Sequence, residues 1–200
     1  MAIPDRLKAF LAASKIPYTV DRHPVVYTAQ EIAAAQHVPG GQFAKSVLVN
    51  TARGPVLAVL PAVQLIDLKR LKSLLRATTA SIAKEADIKR CFPDVEVGAM
   101  PPFGNLYEIP VVVDQALTES EYIVFNAGSH TETMRMRSHD FAALVHPKVG
   151  TFGQPIPGAK KPSRAKATAA RAGRRTTRAA PGPSERARST SQRPSRRRRR

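Results

Sequence analysis

Three short stretches of this 200-residue chain carry groups that can do chemistry. Lys45 stands at the head of the apolar run Ser46-Val-Leu-Val49. A cation at a strand end can sit at the mouth of a pocket and hold a phosphate or carbonyl oxygen. The same spacing also suits a lysine that lays its stem on apolar surface and keeps its amine in water. The second stretch is Gly98-Ala-Met-Pro-Pro-Phe-Gly104. Its paired prolines fix the backbone, and its glycines allow a ligand close approach, so it can aim N–H groups at a developing oxyanion. It reads equally as an ordinary rigid turn. The third, Asn126-Ala-Gly-Ser-His130, offers amide, hydroxyl and imidazole groups together, with a solvent-facing turn histidine as the plainer reading.

Other chemistries find no support. The chain has no G-x-x-x-x-G-K-[ST], G-x-G-x-x-G, H-E-x-x-H or G-x-S-x-G motif. His23, His37, His130, His139 and His146 are scattered without metal-ligand spacing, and no metal or organic cofactor is expected. Cys91 stands alone, which excludes an internal disulfide framework or a multi-cysteine zinc site, and it reads as a small core residue.

The elements that must position these stretches follow from periodicity and punctuation. Ile3, Leu7, Phe10 and Leu11 mark one apolar helix face, ended at Ile16-Pro17. Tyr18 to Asp21 reads as a strand. Thr28-Ala-Gln-Glu31 is a capping box that opens a helix running to about His37. Residues 44–50 and 55–60 are strands joined through Arg53-Gly54 as a hairpin. Asp67 caps a helix carrying Leu68, Leu71, Leu74 and Leu75, and residues 83–90 form another. Strands are expected over Ile109 to Asp114 and Tyr122 to Asn126. A turn at Asn126-Ala-Gly128 precedes a strand over Glu132 to Met136. Ser138 is expected to cap a last helix, ended by Pro147. Short links between strands favour antiparallel pairing. The expected class is α+β, with a curved, mainly antiparallel mixed sheet flanked by helices.

Charge divides the chain into two parts. Residues 1–157 hold 16 basic and 14 acidic side chains, whereas residues 158–200 hold 16 basic and one acidic, Glu185. The second part contains no Val, Ile, Leu, Met, Phe, Tyr or Trp, so it cannot bury enough apolar surface to offset its ordering entropy. A folded domain over 1–157 and a disordered basic tail over 158–200 are expected. Such a tail can hold a polyanion without reading bases, since it lacks aromatic stacking platforms. No apolar run approaches the roughly 20 residues of a membrane span. Asp5, Arg6 and Lys8 break any signal-peptide core, so a soluble cytoplasmic protein is expected.

In their order and spacing, several pieces together resemble the YbaK/prolyl-tRNA-synthetase-associated domain family of free-standing aminoacyl-tRNA editing deacylases. They are His23-Pro with Thr28-Ala-x-Glu31, Ala44-Lys45-Ser-Val-Leu-Val, Leu57-Ala-Val-Leu-Pro61, Gly98 to Gly104, and Phe125-Asn-Ala-Gly-Ser-His130 before Met134-Arg-Met136. The resemblance spans about Ile3 to Phe152. It implies a YbaK-like fold with one pocket, and hydrolysis of the ester between a wrong amino acid and the 3′-terminal adenosine of a tRNA, in trans. It also implies that Lys45 is the residue most strongly tied to activity and that Gly98 to Gly104 border the amino-acid pocket. The turn Asn126 to His130 is then near the substrate end.

On that basis Lys45, Gly98, Gly104 and His130 are the expected catalytic positions, with Met100, Pro101, Pro102, Phe103, Asn126, Gly128 and Ser129 binding substrate. Met100, Phe103 and His130 are candidate pocket walls. Some members of the family are thought to use water or a ribose hydroxyl in place of a protein nucleophile. The expected partners are tRNA and, less directly, an aminoacyl-tRNA synthetase; oligomeric state is left open. The rival readings are a noncatalytic nucleic-acid-binding protein with this fold, or a regulatory module docked on a synthetase.

Overall fold

The structure, a computed structural model, describes residues 3–23, 28–35 and 38–157, without the side chains of residues 32 and 35. Pro24, His37 and the basic segment 158–200 lie outside the described residues.

In chain order the elements are α1 (Asp5–Ser14), β1 (Thr19–Arg22), α2 (Ala29–Ala35), β2 (Phe43–Thr51), β3 (Gly54–Pro61), β4 (Gln64–Ile66), α3 (Leu68–Leu75), β5 (Ala80–Ile82), α4 (Glu85–Cys91), a 3₁₀ turn (Gly104–Tyr107), β6 (Val111–Asp114), α5 (Gln115–Thr118), β7 (Tyr122–Ser129), β8 (Glu132–Arg137), α6 (Ser138–Val145), β9 (Lys148–Gly150) and β10 (Gly153–Pro155). The main sheet runs β1-β8-β7-β2-β3-β6-β9, with β5 also on β2, and β4 pairs with β10 apart from it. Pairing is antiparallel for β1–β8, β7–β8, β2–β3 and β2–β5, and parallel for β2–β7, β3–β6 and β6–β9. This is the mixed α+β architecture expected of the sequence.

Alternation along each strand sends side chains to opposite faces. One face carries Ala44, Leu48, Phe125, Met134 and Met136, and packs against α1, α6 and the 92–109 segment. Phe103 is its centre, with ring centroids 6.1 Å from Phe10 and 5.6 Å from both Phe125 and Phe141. The other face carries Val49, Ala58, Leu60 and Val112 under Leu71 of α3, and Phe43 and Val124 beside Ala33 of α2.

Local signals hold where they are strongest. Thr28 and Glu31 form the capping box, each backbone N–H bonded to the other's side chain at 3.2 Å. Asp67 accepts from the N–H groups of Lys69 and Arg70. β2 and β3 close at Thr51 and Gly54.

Two expectations are corrected. Residues 126–128 do not turn the chain: β7 continues through a bulge between Asn126 and Ser129, and the reversal falls at His130–Thr131. The bulge absorbs one register irregularity, and Gly128 at φ +109° supplies the conformation it needs. Ser138 is also no cap. Arg137 occupies the N-cap position, and the Ser138 hydroxyl makes no hydrogen bond among the described residues.

Candidate functional site

β2 changes partner partway along one edge. It pairs with β7 only at Phe43 and Ala44, and with β5 only from Val49 onward. Between these contacts the two neighbouring strands part, and Lys45 stands at the start of the gap. Its ammonium donates to the carbonyls of Gln64 and, at 3.5 Å, Ala62. The amine is therefore directed inward along the protein, and burial lowers its pKa below the ordinary lysine value. Two of its three N–H bonds have acceptors among the described residues, which leaves one for a further oxygen.

The register gives Lys45 a polar neighbour. Phe43 aligns with Val124 and Ala44 with Phe125, so Lys45 and Asn126 lie on the same face of adjacent strands. Asn126 is buried, and its Oδ1 has no hydrogen-bond partner among the described residues. Thr133 follows across β8, aligned with Asn126, and Asp21 across β1, aligned with Thr133. Four adjacent strands thus present Asp21, Thr133, Asn126 and Lys45 in one row.

The carbonyl that anchors Lys45 is itself supported. Gln64 begins β4, which is held by β10. β10 is held by Asp114, whose buried carboxylate accepts from the N–H groups of Phe152 and Gly153, both at 2.7 Å, and from Ala116 at 3.0 Å. Asp114 escaped the sequence reading; its one local signal is an Asp directly before the helical Gln115-Ala-Leu-Thr118.

A second cluster forms where β7 ends. The His130 N–H donates to the Glu96 carboxylate at 2.9 Å, and His130 Nε2 bonds the Val97 carbonyl at 2.9 Å. The Glu96 N–H in turn bonds the Gly128 carbonyl at 2.9 Å. Gly98 has φ +89°, and a Cβ there would lie 3.4 Å from the His130 ring. Ser129 is buried, its hydroxyl 3.3 Å from that of Thr131. Gly98, Gly128, Ser129 and His130 are thus brought together, with Glu96 as the unforeseen link. A cavity of about 520 Å³ opens beside them, lined by Val95, Glu96, Val97 and His130 with Lys89, Phe92 and Pro93.

The rest of the glycine–proline loop faces inward. Met100, Pro101, Pro102, Phe103 and Gly104 are buried, with Met100 and Phe103 in the core on the face opposite Lys45. A Cβ on Gly104 would stand 2.6 Å from the Ile109 carbonyl, and one on Gly128 would stand 2.5 Å from Pro4 Cδ. Both glycines are demanded by close packing.

Among the described residues no helix is long and apolar enough to cross a membrane. No curated protein matches the sequence significantly. Solved structures share its fold at low identity. A crystal structure described as a candidate trans-editing enzyme for prolyl tRNA synthetase superposes with a TM-score of 0.68 at 20% identity, covering 75% of this chain and 96% of that one. A protein described only as hypothetical superposes at 0.69 and 16% identity, covering 74% and 99%. A signal-transduction candidate from Marinobacter aquaeolei VT8 gives 0.59 and 17%, covering 76% of this chain and 31% of that one. A sequence profile described as the aminoacyl-tRNA editing domain matches residues 23–144, more than half of the chain. The chain that places Lys45 and Asn126 on one face of adjacent strands where β2 and β7 part therefore belongs to the aminoacyl-tRNA editing domain family.

Proposed function

We propose that this chain acts in the cytoplasm as a free-standing deacylase, hydrolysing the ester of a mischarged aminoacyl-tRNA to release free amino acid and tRNA. The observation that carries the reading is the Lys45 ammonium, partly desolvated and steered by two carbonyls, on the same sheet face as the buried amide of Asn126. A cation removed from water in this way is expensive to keep, and an anionic or strongly polar ligand would compensate it.

Lys45 holds the terminal phosphate or the ribose and fixes the ester. Asn126 hydrogen-bonds the same end of the substrate. The Gly98 end of the loop, with His130, faces the amino-acid end. Water attacks the ester carbonyl carbon, and a tetrahedral oxyanion forms. Its collapse breaks the bond to the ribose oxygen, which leaves with the proton that the attacking water gives up. An aminoacyl ester is already activated, so positioning and one oxyanion donor, worth about 2.7–4 kcal/mol, supply the needed help without a protein nucleophile.

The test incubates the full chain with a panel of labelled aminoacyl-tRNAs and follows ester loss. One or a few mischarged species should lose their amino acid, and Lys45→Ala should slow this about a hundredfold with folding unchanged. Full activity in Lys45→Ala would remove the lysine from the mechanism. Stability of every ester in the panel would leave the noncatalytic reading.

A further inference from the structure

The interrupted edge of β2 holds a main-chain donor that the sheet does not use. In an antiparallel pair of strands, residue pairs that exchange both hydrogen bonds alternate with pairs that exchange none. Pro61 has no N–H to give, so its pair with Ala44 exchanges none. Ser46 with Val59 and Leu48 with Leu57 follow at steps of two. The N–H and carbonyl of Ala44, Ser46 and Leu48 therefore turn away from β3, toward the edge that β7 and β5 share. Two bonds agree with this direction. The Val124 N–H donates to the Gln42 carbonyl at 3.0 Å, and the Ala83 N–H to the Leu48 carbonyl at 2.9 Å.

The ladder between β2 and β7 runs out at Ser46. One more rung, from the Ser46 N–H to the Asn126 carbonyl, would pair Lys45 with Asn126, but pairing stops at Ala44 with Phe125. The bulge of β7 begins one residue later, and β5 joins β2 only from Val49. Ser46 is half-buried, yet its hydroxyl oxygen is buried without a partner among the described residues. The surface that Ser46 leaves open therefore belongs to its main chain and Cβ. The glycine–proline loop, expected to aim such donors, is buried from Met100 to Gly104.

An N–H set in a strand edge is fixed in direction, and it needs an acceptor. The acceptor that an aminoacyl ester brings is its carbonyl oxygen. In the tetrahedral adduct that oxygen is negatively charged and accepts more strongly than in the ester, so an aimed, unshared N–H favours the adduct over the ground state. We infer that the Ser46 main-chain N–H is the oxyanion donor of the reaction, the substrate's ester carbonyl completing the rung that the Asn126 carbonyl leaves open. The inference rests on the deacylase reading. Lys45, the preceding residue, holds the ribose or phosphate end, and Ser46 receives the ester next to it. The N–H bond stays intact throughout: it donates a hydrogen bond, and water remains the nucleophile.

The deciding experiment removes this N–H from the full chain. Ser46 is exchanged for its α-hydroxy analogue, which keeps the hydroxymethyl group and turns the peptide amide into an ester. Deacylation of a mischarged aminoacyl-tRNA should lose about a hundredfold in kcat at unchanged KM, the mark of a contact made only in the transition state. The same exchange at Val47, whose N–H points to Ala58 of β3, should lower the melting temperature and leave kcat unaltered. Ser46→Pro is a second route, because proline also lacks the N–H and is tolerated where a strand edge needs none. It should reproduce the loss with the circular dichroism of the fold retained. Full kcat in either folded variant overturns the inference while the deacylase reading stands. Equal losses at positions 46 and 47 overturn it too, since the effect would then belong to the strand. Amide hydrogen exchange in the free chain needs no substrate: Ser46 should exchange much faster than Val47, and equal protection would show its N–H already bonded. An unaltered chain that hydrolyses no aminoacyl-tRNA removes the deacylase reading and this inference with it.

Discussion

Lys45 and the glycine–proline loop are both drawn into the body of the protein, but different forces hold them there. The loop is satisfied by the fold alone. Phe103 is 0% exposed among three other rings, and Gly104 is a glycine because the Ile109 carbonyl leaves no room for a Cβ. Lys45 carries a charge that the fold meets with two carbonyls. Its ammonium is partly desolvated, its pKa is lowered by burial, and carbonyls partly compensate its charge. Packing explains the first region, whereas in the second a charge is taken partly out of water.

The contrast breaks most visibly at Phe103. Phe103→Ala should destabilise the fold by about 3–5 kcal/mol, read by chemical denaturation, as expected for an aromatic side chain removed from a packed core. A loss below about 1 kcal/mol would show that the ring faces open space and would return it to the pocket wall. Gly98→Ala sharpens the contrast within the loop itself. A left-handed backbone costs a non-glycine residue about 1–2 kcal/mol, and the new methyl would meet the His130 ring at ordinary contact distance, 3.4 Å. Thermal melts should record a stability loss of that size. A fall in deacylation much larger than the melt explains would place Gly98 beside the ester.

The smallest effect is a pH dependence. Because Lys45 has a lower pKa in the folded chain than in the unfolded one, the unfolded state binds the proton more tightly. Stability should therefore rise with pH between the depressed value and the ordinary lysine value. Lys45→Met should abolish that slope in denaturant titrations. In the active protein, deacylation should decline on the alkaline side below the pH at which a solvated lysine deprotonates. Lys45→Arg should carry this limb upward, since a guanidinium stays charged.

Those parts of the fold written in neighbouring residues were legible in the sequence. The periodic Leu7, Phe10 and Leu11, the Thr28–Glu31 box, the Asp67 cap and the Arg53-Gly54 hairpin each need only a few adjacent positions. What escaped depends on distant partners. Asn126 to Ser129 contains a glycine and reads as a turn until β8 and Pro4 are in place. β4 is three residues long and exists because β10 returns to it. Lys45 was visible as a cation before an apolar strand, but not the carbonyls that aim it.

The Asp114 bracket sets a lower limit on what can be excised. The profile match stops at residue 144, short of β9 and β10. A fragment cut to those bounds would strip the carboxylate of the Phe152 and Gly153 amides and leave β4 without its mate. The Gln64 oxygen that steers the amine would then lose the strand pairing that holds β4, so a fragment meant to keep Lys45 in place should extend at least through Pro155.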